Sequence, residues 1–126
     1  MGTMIHLDTN FLVSALQPGT AEESKVNSWL SGNEILGASA VAWAELFCGP
    51  LSARDELIAR QMFSHIDVLS GPDAELAAQL FNKTGRRSRS LADCMIAAVA
   101  IRCGARLATV NTSDFTPFVQ HGLVLA

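Results

Sequence analysis

The sequence predicts an α/β fold in which helices cover both faces of a mainly parallel sheet of four to five strands. Short apolar runs alternate with segments of helical character along the chain. Strands joined through helices need crossover connections, and such connections give parallel strands. The chain has 126 residues, 49% of them hydrophobic, and one domain typically takes about 100–200 residues. We therefore expect a single domain over residues 1–126.

Gly and Pro residues delimit the predicted elements of the N-terminal half. Pro18-Gly19 ends the first helix and Gly49-Pro50 ends the third, because neither residue type continues a helix well. A second methionine, Met4, directly precedes the first strand, which makes the first three residues a candidate non-native leader. In chain order we predict a strand at Met4–Leu7, helices over 11–16 and 21–30, a strand over 35–38, and helices over 41–48 and 54–63.

The C-terminal half repeats this alternation. Gly85 and Gly104 close its two helices, and Asp73 and Glu75 lie near the start of the first, where the helix dipole favours acids. No stretch reaches the roughly 20 uncharged apolar residues of a membrane span. In chain order we predict a strand over 66–69, helices over 72–83 and 91–103, and strands over 107–110 and 123–125.

The composition limits the possible function classes. A net charge of −3 argues against a protein that coats nucleic acid through bulk electrostatics. A nucleic-acid enzyme is still allowed, because catalytic metals offset acidic residues locally. Cys48, Cys94 and Cys103 lack metal-ligand spacing and lie in apolar runs, which indicates buried, reduced thiols. Because the N-terminus also lacks a signal peptide, we expect a cytoplasmic protein.

Four of the 12 acidic residues lie in apolar surroundings. Asp8 follows the first strand and Asp114 follows the fourth, while Glu45 and Asp93 lie within apolar helices. A lone buried carboxylate is costly, but a divalent cation prefers carboxylate oxygens as ligands. The carboxyl ends of parallel strands open into one crevice. We therefore expect the four side chains to converge on a Mg²⁺ or Mn²⁺ site.

Each of these acids also has a structural interpretation. Asp8 and Asp114 fit helix N-caps, a position that Asp fills well. Asp93 and Ser90 fit a capping box. The long side chain of Glu45 allows its carboxylate to reach solvent from an apolar helix.

Asp67 and the histidines are placed outside the expected site. Strand alternation allows Asp67 to face outward at a sheet edge. His6, His65 and His121 are scattered along the chain, and the expected chemistry needs no Ser–His pair, so we interpret all three as structural.

Four short motifs occur in order along the chain: Ile5-His6-Leu7-Asp8-Thr9-Asn10, Ala44-Glu45-Leu46, Leu91-Ala92-Asp93 and Leu107-Ala108-Thr109-Val110-Asn111-Thr112-Ser113-Asp114-Phe115. Together they resemble PIN-domain nucleases, in particular the VapC-type toxins of bacterial toxin–antitoxin pairs. The resemblance extends from Met4 to the C-terminus. It implies a three-layer α/β/α sandwich and a metal-dependent endoribonuclease that hydrolyses RNA phosphodiester bonds. It also implies a homodimer and a cognate antitoxin that neutralises the enzyme.

The resemblance also implies roles for individual residues. Val110 is a departure from it, because many relatives carry Arg there and Val removes a positive charge near the scissile phosphate. The implied catalytic and metal-binding acids are Asp8, Glu45, Asp93 and Asp114, with Asn111 as a further ligand and Thr9, Asn10 and Thr109 as the polar residues around them.

Arg86, Arg87 and Arg89 form a basic cluster before the helix that carries Asp93. Positive charge near a helix N-terminus opposes the dipole, so helix stability does not explain the cluster. We interpret it as a binding site for RNA phosphates or for an acidic stretch of the antitoxin. The alternative is a solvated loop.

The helix predicted over residues 91–103 is apolar nearly all round and needs cover on every side. Part of that cover is expected from a second subunit. Trp29, Trp43, Phe47 and Met62 are candidates for the core or for an antitoxin groove, with the core as the default.

The sequence fits three other functions less well. A phosphotransfer receiver needs a Lys after a late strand, but Lys25 and Lys83 lie in or beside helices. An Asp-nucleophile phosphatase needs Asp-x-Asp after the first strand, where this chain has Asp8-Thr9-Asn10. A degenerate PIN domain that only binds RNA or protein predicts the loss of an acid, and all four acids are present.

Overall fold

The computed structural model describes residues 4–63, 65–85 and 90–126. In these ranges the chain forms one five-stranded sheet with the order β3-β2-β1-β4-β5, and every neighbouring pair is parallel. The prediction of a mainly parallel sheet covered by helices is thus confirmed. The strands are β1 (Met4–Leu7), β2 (Ile35–Ser39), β3 (His65–Asp67), β4 (Arg106–Ala108) and β5 (Val124–Leu125).

Side-chain caps set the starts of most of the helices. Thr20, Ser39, Ser52 and Ser70 each accept a hydrogen bond from the backbone N–H three residues later, so several helices begin one residue before the predicted start. The helices are α1 (Thr9–Ala15), α2 (Ala21–Ser31), α3 (Ala40–Cys48), α4 (Ala53–Met62), α5 (Gly71–Lys83), α6 (Ser90–Cys103) and α7 (Thr112–Phe115), followed by a 3₁₀ helix (Thr116–His121).

No sequence pattern predicted α7 or the 3₁₀ helix between β4 and β5. Both are short, and a short segment carries too little periodicity to be recognised. Phe115 and Phe118 anchor these two turns because both rings are buried, with their centroids 6.0 Å apart.

Two hydrophobic clusters cover the sheet, in agreement with the predicted three layers. Because side chains alternate along a strand, Ile5 and Leu7 of β1 lie in one cluster, while Met4 packs against the other. The cluster that contains Ile5 and Leu7 joins the sheet to α1, α2, α3 and α4, and the cluster beside Met4 joins it to α5, α6 and α7, with Ala42 of α3. Against the Ile5 cluster pack four partly buried side chains, Trp29, Trp43, Phe47 and Met62.

The apolar helix α6 is covered largely by its own domain. Cys94 and the residues 96–100 are buried, whereas Leu91 is 44% exposed. The need for cover on α6 therefore does not by itself call for a second subunit, and the homodimer stays a prediction from the family resemblance.

Cys48 corrects the expectation of buried thiols, because its side chain is exposed at the end of α3. Cys94 is buried and Cys103 is partly buried, and all three are free thiols. Within the described ranges, every helix is too short or too polar to cross a bilayer.

Asp67 does not face outward, so that prediction was wrong. It ends β3, which spans His65–Asp67 rather than the predicted 66–69. Its carboxylate accepts a hydrogen bond of 2.7 Å from Nε2 of His6, a fully buried residue of β1. The alternation pattern could not show this contact because β1 and β3 are separated by β2.

Asp73 is buried at the start of α5 and forms an ion pair with Arg102 of α6. The guanidinium donates from Nε to both carboxylate oxygens, at 2.8 and 2.9 Å, and the capping box with Ser70 adds two further hydrogen bonds. Burial by itself would raise the pKa of Asp73, but the hydrogen bonds from Arg102 and Ser70 outweigh it and hold that pKa below its usual range.

We predict that Asp73→Asn lowers the melting temperature by a few degrees at neutral pH. A carboxylate with a lowered pKa stabilises the fold above its unfolded pKa of about 4, and that contribution is lost as the pH falls through the folded value. Thermal unfolding from pH 7 down to pH 2 should therefore show the gap between wild type and variant closing below about pH 4. A gap that does not change with pH would contradict the role of the ion pair.

Candidate active site

The candidate site lies where β1 and β4 end at the carboxyl edge of the sheet. Asp8 directly follows β1, and its backbone N–H donates to the carbonyl of Ala108, the last residue of β4, at 3.0 Å. This bond continues the parallel pairing beyond Leu7. It brings Asp8 beside Thr109, as the strand-end argument predicted.

Asp8 is 4% exposed and both of its carboxylate oxygens are hydrogen-bonded. Oδ1 accepts from the backbone N–H of Phe11 at 2.9 Å, which makes Asp8 the N-cap of α1. Oδ2 accepts from the hydroxyl of Thr109 at 2.7 Å. Asp8 is therefore an N-cap, as its structural interpretation predicted, but capping uses only Oδ1. Oδ2 is oriented by Thr109, which follows β4.

The pKa of Asp8 shows that other acids lie near it. Burial raises this pKa above its usual range, and the hydrogen bonds from Thr109 and Phe11 oppose the shift. The negative charges of Glu45 and Asp114 raise it further. Two of the predicted acids thus act electrostatically on Asp8, and a bound cation would relieve that repulsion.

Glu45 is exposed on α3, in agreement with the surface interpretation, yet its carboxylate is held in place. The hydroxyl of Thr9 donates to Oε1 of Glu45 at 2.6 Å. Thr9 thus bonds to the carboxylate of Glu45 and Thr109 to that of Asp8. Asn10 is exposed.

Asp114 is not an N-cap, so the capping interpretation was wrong for this residue. It lies inside α7, whose N-cap position is Asn111. The side chain of Asn111 makes no capping hydrogen bond, while its backbone N–H donates to the hydroxyl of Thr109 at 2.9 Å. Asp114 is exposed, so α7 presents one carboxylate and one amide on the segment that follows β4.

Asp93 lies in the first turn of α6 and is partly buried. The residues predicted to share its face, Ile96, Ala97 and Ala100, are buried as expected. The capping box depends on the side chain of Ser90, which lies outside what the structure describes. The basic cluster Arg86, Arg87 and Arg89 falls outside the described residues as well.

The acids are more widely spread than the ligands of a closed metal site. Within the described ranges, the residues that bring three potential ligand atoms to within 4.8 Å of one another are His6, Asp67 and Cys103. Carboxylates repel one another, so a spread arrangement is expected of the acids by themselves. An all-oxygen set suits Mg²⁺ or Mn²⁺, and the raised pKa of Asp8 fits that set. The His–Asp–Cys group could not be predicted from the sequence, because no local motif links its three positions.

A cavity of about 180 Å³ adjoins Glu45. Apolar side chains of α1 and α3, with Leu51, form much of its wall. Asp55 lies at the same cavity. The chain therefore places an apolar recess directly beside one of the candidate catalytic acids.

These features define a class: a small, all-parallel α/β domain with interacting acids at the carboxyl edge of its sheet. The chain belongs to the PIN domain family, which it matches over residues 5–116. No curated protein matches the chain significantly.

Solved structures share the fold over nearly the whole chain. VapBC2 from Rickettsia felis, bound to a DNA fragment from its promoter, is similar with a TM-score of 0.73 and 21% identity, covering 98% of this chain and 97% of that chain. FitAcB from Neisseria gonorrhoeae gives 0.71 and 27%, covering 98% and 97%. VapBC-1 from nontypeable Haemophilus influenzae gives 0.71 and 21%, covering 98% and 96%. The similarity to VapC-type PIN domains is thus confirmed.

We predict that Asp8→Asn raises stability by up to about 1 kcal/mol when no divalent cation is present. Asn still accepts the hydrogen bond from Phe11 as an N-cap, and its NH₂ group can donate to the hydroxyl oxygen of Thr109. The substitution removes a buried negative charge that Glu45 and Asp114 repel. Urea unfolding in the presence of a chelator measures this. A variant less stable than wild type would contradict the electrostatic interpretation.

We predict that Thr109→Val lowers the free energy of unfolding by about 1–3 kcal/mol, because it leaves the buried Oδ2 of Asp8 without its hydrogen-bond donor. Thr109→Ser keeps the hydroxyl and serves as the control. Equal unfolding midpoints in urea for the Val and Ser variants would show that the hydrogen bond to Asp8 contributes nothing.

Proposed function

We propose that this chain is a Mg²⁺- or Mn²⁺-dependent endoribonuclease that acts as the toxin of a toxin–antitoxin pair. One observation carries the proposal: Asp8 is buried at the end of β1 and its pKa is raised by burial and by the charges of Glu45 and Asp114. Membership of the PIN domain family supports the nuclease chemistry.

The chain supplies the ligands and holds them in position. Asp8, Glu45, Asp93 and Asp114, with Asn111, would bind the cation. When bound, the cation polarises the scissile phosphate and activates the attacking water. Thr109 and the Phe11 N–H fix Asp8 from two sides, and Thr9 fixes Glu45. Preorganised ligands of this kind reduce the reorganisation that the reaction requires.

The toxin role is supported by the similar structures, since those named VapBC, FitAcB and toxin–antitoxin complex share this fold. The recess beside Glu45, with Leu46 and Leu51 in its wall, suits an apolar side chain of an antitoxin helix. A helix seated there would lie beside the acids and block access to them. We also propose, from the family resemblance, that the chain forms a homodimer and acts in the cytoplasm.

Val110 favours a second candidate function, an inactive PIN domain that binds RNA or protein. It is 44% exposed directly before Asn111, where a positive charge would otherwise assist phosphate binding. The two functions differ in whether RNA is cut.

We predict that the purified chain cuts total cellular RNA with Mg²⁺ or Mn²⁺ and that a chelator stops it. Asp8→Ala and Glu45→Gln should each reduce the rate by about 100-fold or more, since both remove charge from the centre that stabilises the transition state. Glu75→Gln, which changes an exposed acid of α5, is the matched control and should cut like wild type.

Two other outcomes of this assay would reject the nuclease. RNA binding without cleavage by folded protein, with either cation, would establish the binding module. Cleavage that persists in Asp8→Ala or in the chelator would show that the activity does not come from these acids.

We predict that replacing Arg86, Arg87 and Arg89 by Ala weakens RNA binding and lowers the slope of log K against log salt by about 2. Each Arg that contacts a phosphate releases counterions, and three contacts account for that change. Filter binding across a salt series measures it. Removing the same charge elsewhere, with Lys25→Ala, Arg54→Ala and Arg60→Ala, should leave the slope unchanged; equal losses in both variants would reject a specific basic cluster.

A further inference from the structure

A row of three registered residues crosses β1, β2 and β3. His6 is paired with Gly37, and Gly37 with His65, so the three lie on one face of the sheet. A Cβ on Gly37 would stand 3.4 Å from Cδ2 of His6. Glycine in a strand interior often marks a close approach, and here it leaves room for the His6 ring to lie over β2.

The carboxylate of Asp67 is the point at which these side chains meet. Nε2 of His6 lies 2.7 Å from its Oδ2, and Nε2 of His65 lies 3.8 Å from the same atom. The ligand atoms of His6, Asp67 and Cys103, the last residue of α6, lie within 4.8 Å of one another. An imidazole, a carboxylate and a thiol therefore converge, and the ring of His65 lies beside the same carboxylate.

His6 is fully buried, and its Nδ1 has no hydrogen-bond partner among the described residues. The ring is therefore held through Nε2 alone, the nitrogen that faces Asp67. The guanidinium of Arg102, next to Cys103, forms an ion pair with Asp73.

We propose that His6, Asp67 and Cys103, with His65 as the fourth ligand, bind a Zn²⁺ ion. Zn²⁺ takes four ligands in tetrahedral geometry and accepts nitrogen, sulfur and oxygen together, whereas Mg²⁺ prefers oxygen alone. The ligand atoms of the first three residues lie within 4.8 Å of one another. Bonds of about 2.0–2.3 Å require tetrahedral ligands roughly 3.3–3.7 Å apart, a small adjustment from these positions.

Binding exchanges protons for the cation. The Cys103 thiol releases its proton to solvent and binds as thiolate, His6 and His65 bind as neutral imidazoles through Nε2, and Asp67 binds as carboxylate. The ion would fasten the edge strand β3 to β1 and α6. This proposal is independent of the nuclease, because it uses none of the candidate catalytic acids.

Co²⁺ is the probe for the test, since it occupies zinc sites and reports its ligands by absorption. The full chain, stripped of metal with a chelator and then titrated, should take up about one equivalent of Co²⁺ with a thiolate-to-metal charge-transfer band. Zn²⁺ should displace the Co²⁺ and raise the melting temperature. Cys103→Ser should abolish the band, while Cys48→Ser, which changes another thiol, should keep it.

Competition against a chromophoric chelator then measures the Zn²⁺ affinity. Asp67→Asn and His65→Ala should each weaken it about 10-fold or more, because even outer partners of metal ligands contribute that much. His121→Ala is the matched control. If Cys103→Ser does not fold, as judged by circular dichroism, the Zn²⁺ affinities of His65→Ala and His121→Ala decide the outcome, because His65 is exposed.

Three results would overturn the proposal. Folded wild type that binds no Zn²⁺ would show that Asp67 only accepts hydrogen bonds. Affinity unchanged by Cys103→Ser and Asp67→Asn would place the ion elsewhere. Zn²⁺ lost in Asp8→Ala but kept in Cys103→Ser would assign the ion to the acidic crevice.

Discussion

Asp8 is the residue on which the arrangement of the site depends. Its backbone N–H extends the pairing of β1 with β4 through Ala108, one carboxylate oxygen starts α1 through Phe11, and the other binds Thr109. A single residue therefore takes part in strand pairing, in helix capping and in the geometry of the site. These bonds come from separate parts of the chain. The carboxylate of Asp8 is therefore held in a single position once β1, β4 and α1 have all formed.

The two buried carboxylates, those of Asp73 and Asp8, differ in the charges that lie beside them. Asp73 is 1% exposed and Asp8 is 4% exposed, yet their pKa values shift in opposite directions. Burial raises both, but Asp73 has the guanidinium of Arg102 beside it and ends below its usual range. Asp8 receives only neutral donors, with Glu45 and Asp114 as neighbours of like charge. Neighbours of like charge only destabilise a carboxylate that has a purely structural role. Carboxylates that bind a cation together need such neighbours as further ligands.

Local patterns predicted the fold, the place of Asp8 directly after β1 and the buried face of Asp93, because these follow from short-range rules. They did not place Asp114, which lies within α7. Asp67 and His6 could not be paired in this way, since their contact crosses β2 and depends on the missing side chain of Gly37. The short helical turns after β4 were also not predicted, because the packing of Phe115 and Phe118 fixes them and the sequence there has no periodic pattern.

The two donor sets are connected through β2. Asp67 is registered with Ser39, and Ser39 caps α3, the helix that carries Glu45. Whatever holds β3 against β2 therefore also fixes the start of α3 and the direction in which Glu45 approaches Thr9. Under the two proposals, the oxygen-only set at the carboxyl edge and the nitrogen- and sulfur-containing set on the sheet face would select different cations. In this arrangement an ion bound by His6, Asp67 and Cys103 would support the position of an acid that it never contacts.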